Sequence, residues 1–238
     1  MPRLKIQLVA SLAQESIDQL ADYVVGADAG LLRISRSSSG AKAWQKIAQA
    51  VPAIPWGVWL PGNRPSDLKQ VVKAGVDFIA FSATGTPLSS LQNDDVGKIL
   101  AVEASLSEGL LRAANELPVD AVLVTGEGSQ GDFLTWQHLL LFQRFADLLS
   151  KPLLVSVPSK VTEGELQALW AAGVDGVITE VTPEQPRDRL KELRQTIDKL
   201  TVPAPRRREK REPLLPRASQ ESDMAVAEEE DEEEDEDE

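Results

Sequence analysis

The chain has no cysteine and only one histidine, His138, in 238 residues. Without thiols there is no disulfide, no thiolate nucleophile and no zinc–thiolate or iron–sulfur site. With a single imidazole, multi-histidine metal centres are excluded as well. Aromatic residues make up 5% of the chain, and no apolar run approaches the roughly 20 residues of a membrane span. The opening Met1-Pro2-Arg3-Leu4-Lys5-Ile6 lacks a secretory signal's long apolar stretch and small-residue cleavage site, so the cytoplasm is the expected location.

What is present is an ordinary globular composition, 42% apolar and 26% charged, with a net charge of −13. That charge is unevenly placed. Residues 202–238 hold 15 acidic and 6 basic side chains, a net of −9, which leaves only −4 for residues 1–201. Two regions are therefore expected: a folded body over 1–201 and a basic-then-acidic tail over 202–238. In the tail, Pro203-Ala204-Pro205 breaks the last helix and Arg206-Arg207-Arg208-Glu209-Lys210-Arg211 forms a basic cluster. An unbroken acidic run then extends from Glu228 to Glu238. Such a segment buries too little apolar surface to offset its ordering entropy and is expected to be disordered. The acids compete with any nucleic acid for the basic cluster, so an intramolecular, loosely collapsed tail is expected; the acids of 228–238 then serve solubility or, as the sharper alternative, recruit a basic protein.

The body alternates short β-rich apolar runs with amphipathic segments. Strands are expected at Leu4–Ala10, Ala29–Ile34, Trp56–Leu60, Phe78–Ser82, Ile99–Ala104, Ala121–Thr125, Leu153–Val157 and Gly176–Thr179. Helices are expected at Ala13–Val24, Ala41–Ala50, Leu134–Leu149 and Gly164–Ala172, with a final one running to about Leu200. Ser11-x-x-Gln14 and Thr162-x-x-Glu165 read as capping boxes, and Thr86-Pro87 and Thr182-Pro183 as helix starts. Eight strands each followed by a helix in about 200 residues predict a compact (β/α)8 TIM barrel, with an open doubly wound sheet as the rival.

An internal echo favours closure. Asp28-Ala29 and Trp44-Gln45 return 92 residues later as Asp120-Ala121 and Trp136-Gln137. Ala10-Ser11-Leu12 returns as Ala104-Ser105-Leu106, and Ala74-Gly75-Val76-Asp77 as Ala172-Gly173-Val174-Asp175. Strands one to four thus echo strands five to eight, as in a two-fold barrel. On this alignment Glu103 corresponds to Val9.

Over residues 4–200 this layout resembles the aldolase-type, phosphate-binding TIM barrels, which include half-barrel duplications. The phrase Ala171-Ala172-Gly173-Val174-Asp175-Gly176-Val177-Ile178 is similar to the segment leading into the eighth strand of tryptophan synthase α-type and flavin-binding barrels. The resemblance implies a small-molecule site at the strand C-terminal ends. Where such barrels place glycine pairs to hold phosphate, this chain has Val157-Pro158-Ser159-Lys160 and Thr179-Glu180-Val181, and Glu180 would repel a phosphate. Of the acidic pair that the histidine-biosynthesis barrels place after strands one and five, only Glu103 is present.

Candidate chemistry follows from the strand ends. Alternation places Lys5, Gln7 and Val9 inward on strand one and Glu103 inward at the top of strand five. Arg33, Thr125, Ser156 and Thr179 lie near the C-terminal ends of their strands, where barrel sites are built. A buried Glu103 would act as general acid or base with Arg33 orienting the substrate; the alternative is a structural ion pair of Glu103 with Arg33 or Lys5. Ser82, Thr84, Gly85 and Thr86 form a small hydroxyl-rich turn suited to an anion. Gly126-Glu127-Gly128-Ser129-Gln130-Gly131 matches a phosphate-loop spacing but carries Glu127 inside it, and reads as a barrel loop. His138 reads as a helix-surface or packing residue, and Trp44 and Trp136 as matched packing residues of the two halves; Trp56 and Trp59 are placed inside the barrel, Trp59 towards the pocket.

Three functions are consistent with these residues: a lyase- or isomerase-like enzyme on a small anionic metabolite, a non-catalytic barrel binding partners through its acidic tail, and a flavin-binding barrel. No metal or other cofactor is expected beyond that flavin option.

Overall fold

The computed structural model describes residues 5–13, 21–34, 54–60, 71–90, 96–125, 133–182 and 184–201. The tail 202–238, the glycine-rich 126–131 stretch, Gln14, Trp44 and the helix expected at Ala41–Ala50 lie outside the described residues. Eight parallel strands close into a barrel in chain order: β1 (Gln7–Ala13), β2 (Ala29–Arg33), β3 (Trp56–Leu60), β4 (Phe78–Ser82), β5 (Gly97–Glu103), β6 (Ala121–Thr125), β7 (Leu153–Val157) and β8 (Gly176–Glu180). The described α-helices are α1 (Glu108–Ala113), α2 (Trp136–Leu148), α3 (Glu163–Ala172) and α4 (Arg189–Lys199).

Side-chain alternation divides the core in two. One set, including Ile6, Leu8, Val58, Val102 and Val155, packs outward with the helices. The other, including Val9, Leu31, Ala80, Leu123, Leu154 and Ile178, fills the barrel. Trp59 joins the interior set as expected, whereas Trp56 belongs to the outer one and lies over Gly30 on the helix-facing side. The next glycine in this pattern, Gly57, makes room for the Phe78 ring, which a Cβ at that position would overlap.

The strand starts are fastened by one contact made four times. The residue just before each even strand is aspartate: Asp28, Asp77, Asp120 and Asp175. Each donates its N–H to the carbonyl of a residue at the start of the preceding odd strand, namely Leu8, Trp56, Lys98 and Leu153, at 2.8–3.0 Å. Each carboxylate then accepts the N–H of that same residue, at 2.7, 2.8, 2.7 and 2.9 Å respectively. Charge-assisted bonds of this kind contribute about 1.5–3 kcal/mol apiece. A buried apolar residue precedes every one of these aspartates: Ala27, Val76, Val119 and Val174.

This contact gives the recurring Ala-Gly-Val-Asp phrase a physical meaning. Gly75 and Gly173 are both left-handed, with φ of 84° and 109°. Gly173 ends α3, its N–H donating to Trp170 O and that of Val174 to Leu169 O, both at 3.1 Å. The valine is buried and the aspartate clamps. The clamp also corrects the repeat alignment. It makes Leu8 equivalent to Lys98, so Glu103 corresponds to Ala13, not Val9, and stands four residues, two repeats of the pleat, higher than expected. The Ala10-Ser11-Leu12 echo falls inside β1, while Ala104-Ser105-Leu106 follows β5.

Helix starts differ from expectation in three places. Ser11 is a buried strand residue paired with Leu31 and Glu180, because β1 runs to Ala13. Thr86 leads only to a single 3-10 turn, Leu88–Ser90. Thr182 opens a turn with Gln185, and the last helix begins after Asp188. The Thr162–Glu165 capping box is present, and α2 carries a second, Thr135–His138, in which His138 Nδ1 accepts the Thr135 N–H at 3.0 Å. Helix α4 buries Leu190, Leu193 and Ile197. From its outer side Arg194 reaches Asp28 at 2.5 Å, Ile6 O at 3.3 Å and Asp198 at 2.9 Å, joining the last helix to the first clamp.

Glu165 does more than cap α3. Burial works to raise its pKa, but the hydrogen bonds it accepts from the N–H and hydroxyl of Thr162 and from the Leu134 N–H outweigh this and hold the carboxyl below its usual value.

Replacing Asp120 by Ala should lower the free energy of unfolding by about 1–3 kcal/mol in urea titrations, since the Lys98 N–H loses a charged acceptor; an unchanged midpoint would refute the clamp's role. Gly57→Ala should cost about 1–3 kcal/mol by forcing Phe78 from its seat, read by the same titration. The stability gap between the parent protein and Glu165→Ala should be about 1 kcal/mol at pH 7. A lowered folded-state pKa contributes stability that is complete above the ordinary carboxylate value. The gap should therefore shrink as pH falls below that value and close once pH passes the lowered one. A gap independent of pH from 7 to 3 would contradict this linkage.

Candidate functional site at the strand C-terminal ends

A cavity of about 510 Å³ opens at the C-terminal ends of the strands. Its floor is Leu31, Leu123 and Ile178, and Trp59 forms part of its wall. Its polar lining is Ser11, Arg33, Thr125, Ser156, Ser159, Lys160, Glu180, Thr182 and Gln185. Strand parity explains the grouping. Arg33, Thr125, Ser156 and Glu180 each follow by two residues a member of the interior core (Leu31, Leu123, Leu154 and Ile178), so each projects to the same inner face.

Arg33 and Glu180 are the last residues of the strands on either side of β1, with Arg33 opposite Ala13 and Glu180 opposite Ser11. Their side chains meet above β1, Nη1 to Oε1 at 3.8 Å, and are 56% and 55% exposed. The Gln185 amide donates to Glu180 O at 2.9 Å and the Val181 N–H to Ser11 O at 2.9 Å, fixing the end of β8. The Thr125 hydroxyl donates to Val102 O at 3.2 Å. Arg189, at the start of α4, donates to Ser159 O at 2.7 Å and Val161 O at 3.0 Å. It thereby anchors the loop that brings Ser159 and Lys160 to the rim.

The sequence-derived candidates separate into four groups. Arg33, Thr125 and Ser156 come together in the cavity. Thr179 does not: it lies on the helix-facing side of β8, 1% exposed, and its hydroxyl has no hydrogen-bond partner among the described residues. Glu103 is exposed, not buried, because β5 carries it to the level of Ala13. It accepts a 3.3 Å hydrogen bond from Ser105 and is not among the cavity's lining residues. The pairing considered for it goes elsewhere, Arg33 to Glu180 and Lys5 to Asp198. The turn at Ser82, Thr84, Gly85 and Thr86 follows β4, whereas the lining comes from β1 to β3, β6 to β8 and the segments after β7 and β8. The Ser82 and Thr84 hydroxyls bond each other at 2.9 Å.

Lys160, Gln185 and Ser11 were not singled out from the sequence. The sequence makes Ser11 a cap, and the other two lie in loops whose path no periodicity reveals. Glu180 stands out in the sequence only as an obstacle to phosphate. Its place as the last inward residue of β8, matching Arg33 on β2, was the available signal.

A second cavity, of about 500 Å³, lies between the N-terminal ends of α2 and α3 and is bordered by Phe133, Trp136, His138, Leu139 and Leu169. Trp136, expected to pack, is 81% exposed. Among the described residues no group of three or more His, Cys, Asp or Glu could hold a metal ion, and no helix is long and apolar enough to cross a membrane.

No protein-family model and no curated protein sequence matches the chain. Solved structures do. A tryptophan synthase alpha-subunit variant from the hyperthermophile Pyrococcus furiosus superposes with a TM-score of 0.63 at 12% identity, over 82% of this chain and 98% of that one. A thiamine phosphate pyrophosphorylase from Pyrococcus furiosus gives a TM-score of 0.60 at 14% identity, over 81% and 96%. At these identities the likeness is one of fold: the chain shares the TIM-barrel architecture of these enzymes.

Proposed function

We propose that this barrel is a small-molecule enzyme, of lyase or isomerase type, that holds a metabolite by an anionic group at the strand C-terminal face. The observation that carries the reading is the cavity itself, which gathers Arg33, Lys160 and the hydroxyls of Ser11, Thr125 and Ser156 over an apolar floor. Arg33 would bind the anionic group with its guanidinium fork. The acid–base role moves from Glu103 to Glu180, because a proton-transfer group must be within hydrogen-bond reach of the bound molecule. Glu180 lines the cavity and Glu103 does not.

A second reading is binding without turnover. The Arg33–Glu180 contact favours it, since the one carboxylate among the described lining residues already faces a cation. On that reading the acidic residues 228–238 recruit a basic protein, and converting them to their amides in the full chain should abolish its recovery in a pull-down.

The two are separated by incubating the purified protein with a metabolite mixture and following consumption by mass spectrometry. Turnover predicts that a carboxylate- or phosphate-bearing compound is consumed by the parent protein and spared by Glu180→Gln, with Arg33→Ala raising KM about tenfold or more, the loss of a charged hydrogen bond. Loss of turnover in Glu103→Gln but not in Glu180→Gln would return the acid–base role to Glu103. Ligand retention without consumption would favour the binding reading.

A further inference from the structure

We infer that the mouth takes a dipolar ligand, an α-amino acid with an apolar side chain, its carboxylate on Arg33 and its ammonium on Glu180. This deepens the functional reading above and rests on its placement of the ligand in the mouth.

The first support is the state of the ion pair. At 3.8 Å, with more than half of each side chain exposed, Arg33 and Glu180 hold each other weakly and separate at little cost. They stand on opposite sides of β1 at the top of the cavity, so a small group can slip between them.

The second support is what lies beneath. Leu31 is two residues below Arg33 and Ile178 two residues below Glu180, on the same inward faces, with Leu123 completing the floor. Trp59 sits opposite Arg33 in the β2–β3 register. Opposite charges are thus mounted directly over an apolar surface. This matches a molecule whose two charges branch from one carbon that also carries an apolar group.

The third support is charge balance. A simple anion drawn to Arg33 meets the Glu180 carboxylate, and a simple cation drawn to Glu180 meets Arg33. A ligand carrying both charges replaces each partner in kind, so neither side chain is left facing a like or missing charge. Arginine also accepts a carboxylate through two parallel N–H donors, a geometry the present single 3.8 Å contact does not use.

The test is calorimetric titration of the full-length protein with four probes: L-phenylalanine, 3-phenylpropionate (which lacks the amine), phenethylamine (which lacks the carboxylate) and inorganic phosphate. L-Phenylalanine should bind at least tenfold more tightly than the other three. Arg33→Gln and Glu180→Gln should each weaken it about tenfold or more, and Glu180→Gln should also shrink its advantage over 3-phenylpropionate. Both side chains are half exposed, so the variants should fold, which thermal melting checks. If 3-phenylpropionate or phosphate binds as tightly as L-phenylalanine and Arg33→Gln abolishes it, the dipolar assignment falls while the mouth remains an anion site. If L-phenylalanine binds unchanged by both substitutions, it binds elsewhere and the assignment falls. If no probe binds, the assignment and the reading beneath it fall together.

Discussion

A parallel barrel must fix eight strands in register from one end, and here that task falls to four aspartates. Each fastens the start of an odd strand to the start of the next through a reciprocal pair of hydrogen bonds to a single residue. The consequence reaches the far end of the barrel. Side chains alternate with a period of two, so a slip of one residue would turn Arg33 or Glu180 outward to the helices and bring an apolar neighbour into the cavity. The register Ala13 to Arg33 and Ser11 to Glu180 is what sets these two charges over β1. The placing of these two charges at the mouth therefore depends on contacts made at the opposite end.

The two ends divide the labour of the fold. At the strand starts polar groups are held by the clamps and, at the first of them, by Arg194. At the strand ends polar groups are gathered, half exposed and loosely paired. Arg189 and Arg194 lie on one helix and serve one end each, the former holding the loop beside the cavity and the latter the first clamp. Positioning through the final helix makes the mouth sensitive to residues that never line it.

The architecture was legible from the sequence because eight β-rich runs recur at barrel spacing with amphipathic segments between them. Six of the eight strand starts fall where composition puts them, β1 and β5 being the exceptions, and parity correctly separates Val9 from Leu8. The height of residues along strands was less legible. Matching Glu103 to Val9 used the Ala-Ser-Leu echo, whereas hydrogen bonding matches it to Ala13; both give the inward face, but only one leaves the side chain in solvent. Short motifs failed where neighbouring strands extended through them, as at Ser11, and His138 escaped notice as a cap because Glu or Gln usually fills that place. The Arg33–Glu180 contact required closure between β8 and β1, which no local pattern encodes.

The clamps also set an order of events for the growing chain. Each joins residues 20 to 22 positions apart, so each strand pair can acquire its fastener soon after its second member forms, at a small cost in loop-closure entropy. The contact from Arg194 to Asp28 spans 166 positions and has to wait for the last helix. Local pairs come first and the seam comes last, so the cavity beside that seam is complete only when nearly the whole barrel has been made.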